Sequence, residues 1–362
     1  MIIKEDIVNN NFDISNYNYK LLNKDIVFFD IETTGFSRVK SYIYLIGYMY
    51  YESNNWHLKQ LLIENLLEEH HLLQTFSNDI INKKTLVHFN GDNFDIPFIT
   101  SKYSQYNLQN QLPYGSIDLY KIVKPFKRFL SIDNCKLKTI EKSIGFNRQD
   151  TYNGGELIEQ FFFYLKNNDY KLKNNLLLHN QEDITSLLEI FKLSNFLNSI
   201  DNFNKLENIS IETKIEPFEN ICVEIDLPFK DTYSINYKVK DLSFSFFENH
   251  LQIKFPYTHS TLYYFFENYK DYYYIKDMDE AIHKSVGQFY TSHKKTKASA
   301  SNCYIKKEDD YINSYTTNLN IKNFVENYKS KENFYLLEEI ISNENLINTF
   351  IKRLVSLISG FK

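Results

Sequence analysis

Ile26-Val27-Phe28-Phe29-Asp30-Ile31-Glu32-Thr33-Thr34-Gly35 decides how this chain is read. Its apolar run is the signature of a buried strand, and the strand delivers Asp30 and Glu32 just before it ends. Side chains alternate across a strand, so residues two apart leave the same face. Two like charges facing each other in a half-buried place need a cation between them. A hard divalent ion such as Mg²⁺ or Mn²⁺ fits that pair of oxygens. A strand end whose Asp and Glu are simply solvated would read the same, so the pair acquires meaning only from partners elsewhere in the chain.

Outward from this strand the pattern predicts a hairpin, with strands Tyr42 to Tyr51 and Trp56 to Leu62 around Glu52-Ser53-Asn54-Asn55. A helix from Ile63 to Phe76, a strand from Thr85 to Phe89 and a helix from about Ile96 follow. Then come a short strand at Ser116 to Leu119 and helical segments near Leu137 to Ile144, Leu157 to Lys166 and Glu182 to Leu197. Three antiparallel strands followed by alternating helices and strands is the order of a ribonuclease H-like α/β fold, with a mixed five-stranded sheet flanked by helices.

The second constellation is Val87-His88-Phe89-Asn90-Gly91-Asp92-Asn93-Phe94-Asp95-Ile96-Pro97-Phe98. An apolar strand leaves through the turn pair Asn-Gly, and Asp95 stands where a helix begins, just before an Ile-Pro suited to a first turn. That placement aims a carboxylate back at the strand ends, although Asp95 alone could be an N-cap and Asn90 a turn former. The third constellation, His179-Asn180-Gln181-Glu182-Asp183-Ile184, puts His179 and Asp183 four apart on one helix face. Ile184, Leu187 and Leu188 take the inward side.

A chain of 362 residues is too long for one ordinary core and suggests two domains, read as residues 1–200 and 205–362. With a net charge of -5 the molecule is not a polycation, so contact with nucleic acid has to come from a local basic patch or through metal ions. Cys135, Cys222 and Cys303 show neither a disulfide framework nor a zinc-binding spacing, which points to a reducing cytoplasm. No apolar run reaches membrane-spanning length and no signal peptide opens the chain, so a cytoplasmic protein without a membrane partner is expected. No P-loop, GxGxxG or GxSxG is present.

Taken together, the three motifs resemble the DEDD-type 3′→5′ exonucleases of the ribonuclease H-like superfamily, and within it the YprB-like ribonuclease H-like domain family. The resemblance spans Asp25 to Leu197 and includes Ile117-Asp118-Leu119-Tyr120, Leu137-Lys138-Thr139-Ile140-Glu141 and Gly145-Phe146-Asn147-Arg148 as linking motifs. The second motif is also similar to one in the exonuclease domain of family B DNA polymerases, but no polymerase palm motif follows.

What the resemblance implies is a metal-dependent exonuclease with two divalent ions, Mg²⁺ or Mn²⁺, acting on a single-stranded end of DNA or RNA. It implies that Asp30 bridges the ions, that Glu32 and Asp183 hold the one that activates water, and that Asp95 serves the second. His179 would be the general base. It departs from the family's pattern, because a histidine usually lies five residues before the last Asp and a tyrosine four, whereas here His179 sits at the tyrosine spacing. Thr33, Asn90 and Phe94, beside those carboxylates, are read as nucleic-acid contacts. His88 reads as a hydrogen-bonded core histidine and Asp118 as a supporting carboxylate. An inactive scaffold that retains the fold and a structure-specific endonuclease are the rival readings.

After Asn198 alternation at Ile209, Ile211, Ile215, Ile221, Val223, Ile225, Tyr233, Ile235, Tyr237 and Val239 predicts a strand-rich start to an α+β domain. It ends in an apolar helical stretch from Leu336 to Leu357. Lys294, Lys295 and Lys297, with Lys306 and Lys307 beyond them and tyrosines on either side, suit a phosphate-tracking surface that guides substrate. A solvated lysine loop would carry the same letters.

Overall fold

A strand as apolar as Ile26–Thr33 has to be covered on both faces, and it lies inside a mixed sheet. The strands are β1 (Ile2–Val8), β2 (Ile26–Thr33), β3 (Ile43–Glu52), β4 (Asn55–Leu62), β5 (Thr85–His88) and β6 (Gly115–Asp118), in the order β1-β4-β3-β2-β5-β6. In this computed structural model, residues 1–8, 12–17, 21–207, 209–228, 233–315 and 317–360 are described. They fall into two units, Met1–Ser199 and Ile200–Lys362.

β2 pairs antiparallel with β3 and parallel with β5, which is parallel to β6. The expected mixed sheet is therefore present, but with six strands rather than five. The additional strand is β1, antiparallel to β4 from Ile2↔Leu62 to Val8↔Trp56. Lys4, Glu5 and Asp6 fill its centre, as suits an edge strand, and this charge hides it from a reading based on apolar alternation. The β3–β4 turn is tight, with Ser53 and Asn54 both at positive φ (49° and 64°), the backbone that matches the twist of a two-residue hairpin.

The helices of this unit are α1 (Glu69–Ile80), α2 (Asp95–Gln105), α3 (Leu119–Val123), α4 (Leu137–Ser143), α5 (Gly154–Asn167) and α6 (Tyr170–Asp201). α1 starts later than Ile63 because the Ile63 N–H still bonds the Tyr44 carbonyl at 3.0 Å, and Asn65 then caps a short 3-10 turn. α6 starts much earlier than Glu182 and runs for 32 residues. Asp169 begins it by accepting the N–H groups of Lys171 and Leu172 at 2.7 and 3.3 Å. His179 therefore sits in the body of a helix rather than near its start.

α6 is fastened to the sheet at one point of very close approach. Gly47 on β3 faces Asp30 across the ladder, and a Cβ there would lie 1.9 Å from Asn180 Oδ1. Only a glycine lets the helix come so near. Asn180 is fully buried and accepts a hydrogen bond from Gln60 Nε2 at 3.0 Å, while the same amide donates to the Leu177 carbonyl at 2.8 Å. Leu157, Phe161, Tyr164, Leu176 and Leu177 join the sheet in one apolar core, where Phe161 stacks on Tyr44 at 4.3 Å.

The second unit opens with the strands expected of it: β7 (Ile211–Glu216), β8 (Asn220–Asp226), β9 (Ile235–Val239), β10 (Leu242–Phe247) and β11 (His250–Phe265). Then come β12 (Tyr272–Ile275), β13 (Glu280–His283), α7 (Lys284–Gly287), β14 (Lys295–Lys297), β15 (Tyr304–Asn313), β16 (Phe334–Leu336), α8 (Leu337–Ile341) and α9 (Glu344–Ser356). β11 is the hub of a seven-stranded sheet, and β13-β12-β14 form a smaller one. The apolar stretch predicted as helical from Leu336 is divided, because Asn343 caps a new helix by accepting from the N–H groups of Asn345 and Leu346. No helix among the described residues is long and apolar enough to cross a membrane.

The fit at Gly47 is directly testable. Gly47→Ala is expected to cost about 1–3 kcal/mol in urea unfolding, the usual range for overpacking. Combined with Asn180→Ala, it should cost less than the two single changes added together. A neutral Gly47→Ala would contradict the close approach.

Candidate active site

In open α/β sheets ligands gather at the carboxyl ends of the parallel strands. Here β2, β5 and β6 bring Asp30 and Glu32, the Asn90–Asp95 turn and Asp118 to one edge. Asp30 faces α6, whose Asn180 Nδ2 lies 3.4 Å from Asp30 Oδ2. Glu32 lies 3.5 Å from the Tyr44 hydroxyl and 3.4 Å from His179 Nε2.

Asp95 is brought in by the turn after β5. Asn90 adopts a φ of 60°, the Ile96 N–H bonds the Gly91 carbonyl at 2.9 Å, and the Asn90 N–H is held by Asp118 Oδ1 at 2.8 Å. Phe94, not Asp95, occupies the N-cap position of α2. The buried Asp95 carboxylate turns instead to β2, where it accepts from the Ile31 N–H at 3.2 Å.

α6 supplies the rest. His179 Nε2 lies 3.5 Å from Asp183 Oδ2, and the donor atoms of Glu32, His179 and Asp183 all fall within 4.8 Å of one another. The same helix face grips residues 148–150, between α4 and α5. His179 Nδ1 meets Asp150 Oδ2 at 2.6 Å. Glu182 accepts the N–H groups of Gln149 and Asp150 at 2.7 and 2.9 Å. Arg148 Nη2 donates to Asp183 Oδ1.

Arg148, Asp150, Glu182 and Asn180 are the site neighbours that sequence reasoning passed over. Arg148 stood out only as the end of a linking motif, and nothing local distinguished Asp150.

Thr33 is buried, and its hydroxyl donates to the Gly35 carbonyl at 2.9 Å, closing its own turn. Asn90 and Phe94 line an open cleft of about 460 Å³ beside Asp30 and Asp95, together with Phe89, Tyr120 and Lys136. His88 also meets Asp92 and Asp118 closely enough to suggest a second cation site. Its hydrogen bonds argue otherwise. Nδ1 accepts the Gly91 N–H at 3.0 Å, so in the neutral ring Nε2 carries the proton and donates to Ser116 Oγ at 2.8 Å, leaving no lone pair for a metal. Asp118, besides holding Asn90, caps α3 through the Tyr120 N–H.

In the second unit, Lys294 pairs with Asp277 at 2.6 Å. Lys295 Nζ donates to the Gly287 and Gln288 carbonyls and lies 5.0 Å from the centre of the Tyr273 ring. Lys297 stands opposite Tyr273 on the small sheet.

Burial and mutual repulsion set the electrostatics of the cluster. Burial, followed by the charges of Asp183, Asp95 and Glu32, holds the Asp30 carboxyl well above its ordinary range. Burial pushes Glu32 up to about 7 against the pull of His179, with Asp183 and Asp95 adding to the rise. Asp95 is pushed up to about 7 by burial in spite of the Ile31 N–H. Asp150 is different: burial opposes its charge, but Lys138, the Tyr152 N–H and His179 hold it below the usual carboxylate range. The donors of the cluster are carboxylate oxygens with one imidazole beside them, which suits a hard divalent ion. Such an ion also neutralises the charges that repel.

The fold and its edge of carboxylates are those of a ribonuclease H-like domain. The RNase H superfamily matches residues 27–195, from β2 through most of α6. Over 173 residues the chain is 27% identical to the uncharacterized protein YprB of Bacillus subtilis (strain 168), a match covering 46% of this chain and 41% of that protein. Residues 27–195 thus form a YprB-like ribonuclease H-like domain.

Among solved structures, the chain is similar to the family B DNA polymerase of the archaeon Pyrobaculum calidifontis, with a TM-score of 0.42 and 10% identity over 92% of this chain and 46% of that one. It is also similar to E. coli exonuclease I in complex with a dT13 oligonucleotide, with a TM-score of 0.32 and 10% identity over 55% of this chain and 54% of that one. Ribonuclease H-like nucleases generally use divalent metals, and the acidic groups described above can hold one.

The raised carboxylates have a consequence for stability. A carboxylate whose folded pKa lies above its unfolded value keeps protons that the unfolded chain gives up, so stability is lost as pH rises from the unfolded value to the folded one. For Glu32 and Asp95 that window runs from about 4 to about 7. The metal-free protein should therefore melt at lower temperature at pH 8 than at pH 5.5, and millimolar Mn²⁺ should raise the pH 8 value most. A metal-free melting temperature that rises over this interval would contradict the assignment.

Proposed function

We propose that residues 1–200 are a metal-dependent 3′→5′ exonuclease domain, acting on single-stranded ends of DNA or RNA with Mg²⁺ or Mn²⁺. The observation that carries this reading is the convergence of Asp30, Glu32, Asp95 and Asp183 on one edge, with His179 Nε2 3.4 Å from Glu32 and 3.5 Å from Asp183. Divalent ions held by these four carboxylates supply Lewis-acid stabilisation of the phosphodiester and make water more acidic.

The chain's own groups do the rest. Asp150 accepts the Nδ1 proton of His179, and this fixes the tautomer whose Nε2 lone pair looks into the carboxylate cluster. Nε2 then takes a proton from the attacking water as its oxygen bonds to phosphorus and the bond to the leaving 3′ oxygen breaks. Asp150, Glu32 and Asp183 stabilise the imidazolium that results. Phe94, Phe89 and Tyr120 give the cleft aromatic walls on which an unpaired base can stack without regard to its identity, and Asn90 adds a polar contact. Thr33 holds the strand's exit in place. The second unit, through Lys294, Lys295 and Lys297, guides the strand. Three unpaired thiols, Cys135, Cys222 and Cys303, fit a reducing cytoplasm.

Turnover of end-labelled linear and circular single-stranded DNA and RNA in Mn²⁺ and Mg²⁺ tests the proposal. Linear strands should be shortened from the 3′ end, with activity falling by at least about 10³-fold in Asp30→Ala or Asp183→Ala, the scale of lost transition-state charge stabilisation. Wild-type activity no greater than that of these variants on any substrate would leave a scaffold, and cutting of circles would make the protein an endonuclease. In the same series, replacing Lys294, Lys295 and Lys297 with Ala should weaken binding and flatten its salt dependence. An unchanged slope would remove those lysines from the interface.

A further inference from the structure

The far half of the long strand β11 shows aromatic rings on its open face. Tyr263 and Phe265 stand two apart and so share that face, while Leu262 and Tyr264 turn the other way, against a small core with Tyr311 and Phe324. Across the ladder Tyr263 stands opposite Lys306 and Phe265 opposite Tyr304, both on β15. Tyr304 makes T-shaped contacts with both rings, at 5.0 and 5.3 Å between centres. Tyr328 continues the row beyond Phe265 at 5.3 Å, and Tyr274 on β12 continues it beyond Tyr304 at 6.3 Å. Four of the five rings are half-buried and Tyr328 is 52% exposed, so none belongs to a core.

The row is held in place from one side. Asp279, in the turn between β12 and β13, accepts from the Tyr274 and Tyr304 hydroxyls at 2.5 and 2.6 Å and from Lys306 Nζ at 3.1 Å. Those three donors hold its carboxyl down at about 2, so the charge that ties the hydroxyls persists at neutral pH. Rings tied in this way lose little freedom when a ligand settles on them. Lys306 answers the Asp279 charge, and from Ala281 to Lys307 the chain carries lysines and histidines but no acidic residue. Fixed aromatic faces in a cation-rich stretch complement the bases and phosphates of a single strand. A proline-rich peptide also packs on aromatic rings, but it brings no negative charge to meet the lysines.

We propose that Tyr274, Tyr304, Tyr263, Phe265 and Tyr328 form a stacking track on which the second unit carries the bases of single-stranded DNA or RNA. The track accepts any base, because every base offers a ring face. This deepens, and rests on, the reading of the second unit as the part that guides substrate: the rings take the bases, and the lysines take the phosphates.

The test is fluorescence anisotropy of the full chain with a labelled single-stranded oligonucleotide of about twelve nucleotides, in EDTA so that nothing is hydrolysed, over a range of salt. Tyr263→Leu with Phe265→Leu removes two rings from an open face, and its thermal melt establishes that it folds. Affinity should fall at least about tenfold in this variant, while the slope against salt stays that of wild type because no charge is lost. Phe265→Tyr, which keeps the ring, should bind as wild type does. Where the double variant does not fold, Tyr328→Ala at the exposed end of the row gives the same readout, with a fall of about fivefold. Unchanged affinity in the folded variant, a loss that comes with a flattened salt slope, or a proline-rich peptide held by these rings in place of the oligonucleotide would overturn the inference. Unchanged binding in a protein that shortens DNA or RNA sinks this inference alone. Binding that depends on the rings, in a wild type that hydrolyses nothing, sinks the nuclease reading alone.

Discussion

Four carboxylates brought together where water is scarce repel one another, and much of the first unit is arranged around that repulsion. Burial, the largest cause, lifts Asp30, Glu32 and Asp95 above their usual range, and the charges of neighbouring carboxylates lift all three further. The apolar strands under the site supply rigidity. β2 lies between β3 and β5 with its first four residues fully buried, so the backbone that carries Asp30 and Glu32 has little freedom to relieve the strain by spreading. The repulsion that destabilises the metal-free state is also what would give a divalent ion its affinity.

Convergence depends on α6 as much as on β2. Gly47 admits Asn180 to the surface of the sheet, and Gln60 then fixes that asparagine, setting the height at which His179 and Asp183 stand over Asp30. On its other flank α6 holds residues 148–150 through three successive contacts: His179 to Asp150, Glu182 to two backbone N–H groups, and Asp183 to Arg148. The imidazole is therefore oriented at Nδ1 by a carboxylate outside the metal set. Its Nε2 is thereby left facing Glu32 and Asp183.

Local features were legible in the sequence and distant ones were not. The apolar run of β2, the two-residue turn after Glu52 and the Asn-Gly exit before Asp95 are each specified by residues within a few positions of one another. β1 escaped notice because an edge strand carries charge at its centre. The start of α6 escaped because the helix presents apolar residues on several sides, among them Leu176, Leu177, Ile184, Leu187, Ile190 and Phe191, so no single stripe marks its span. The contacts of Arg148 and Asp150 are separated from Asp183 and His179 by 35 and 29 residues, and no periodicity within the 148–150 loop points to them. Likewise the Gly47–Asn180 fit is a matter of shape between two elements, which neither element states by itself.

Under the proposed function, Asp30, Glu32, Asp95 and Asp183 together hold the ions on which hydrolysis depends. Anomalous X-ray scattering at the manganese edge, from crystals grown with Mn²⁺ and a short single-stranded oligonucleotide, tests it most directly. Manganese peaks are expected among these four carboxylates, with His179 Nε2 facing them and Nδ1 still bonded to Asp150. Manganese found instead at the His88, Asp92 and Asp118 cluster, with the four carboxylates bare, would contradict it.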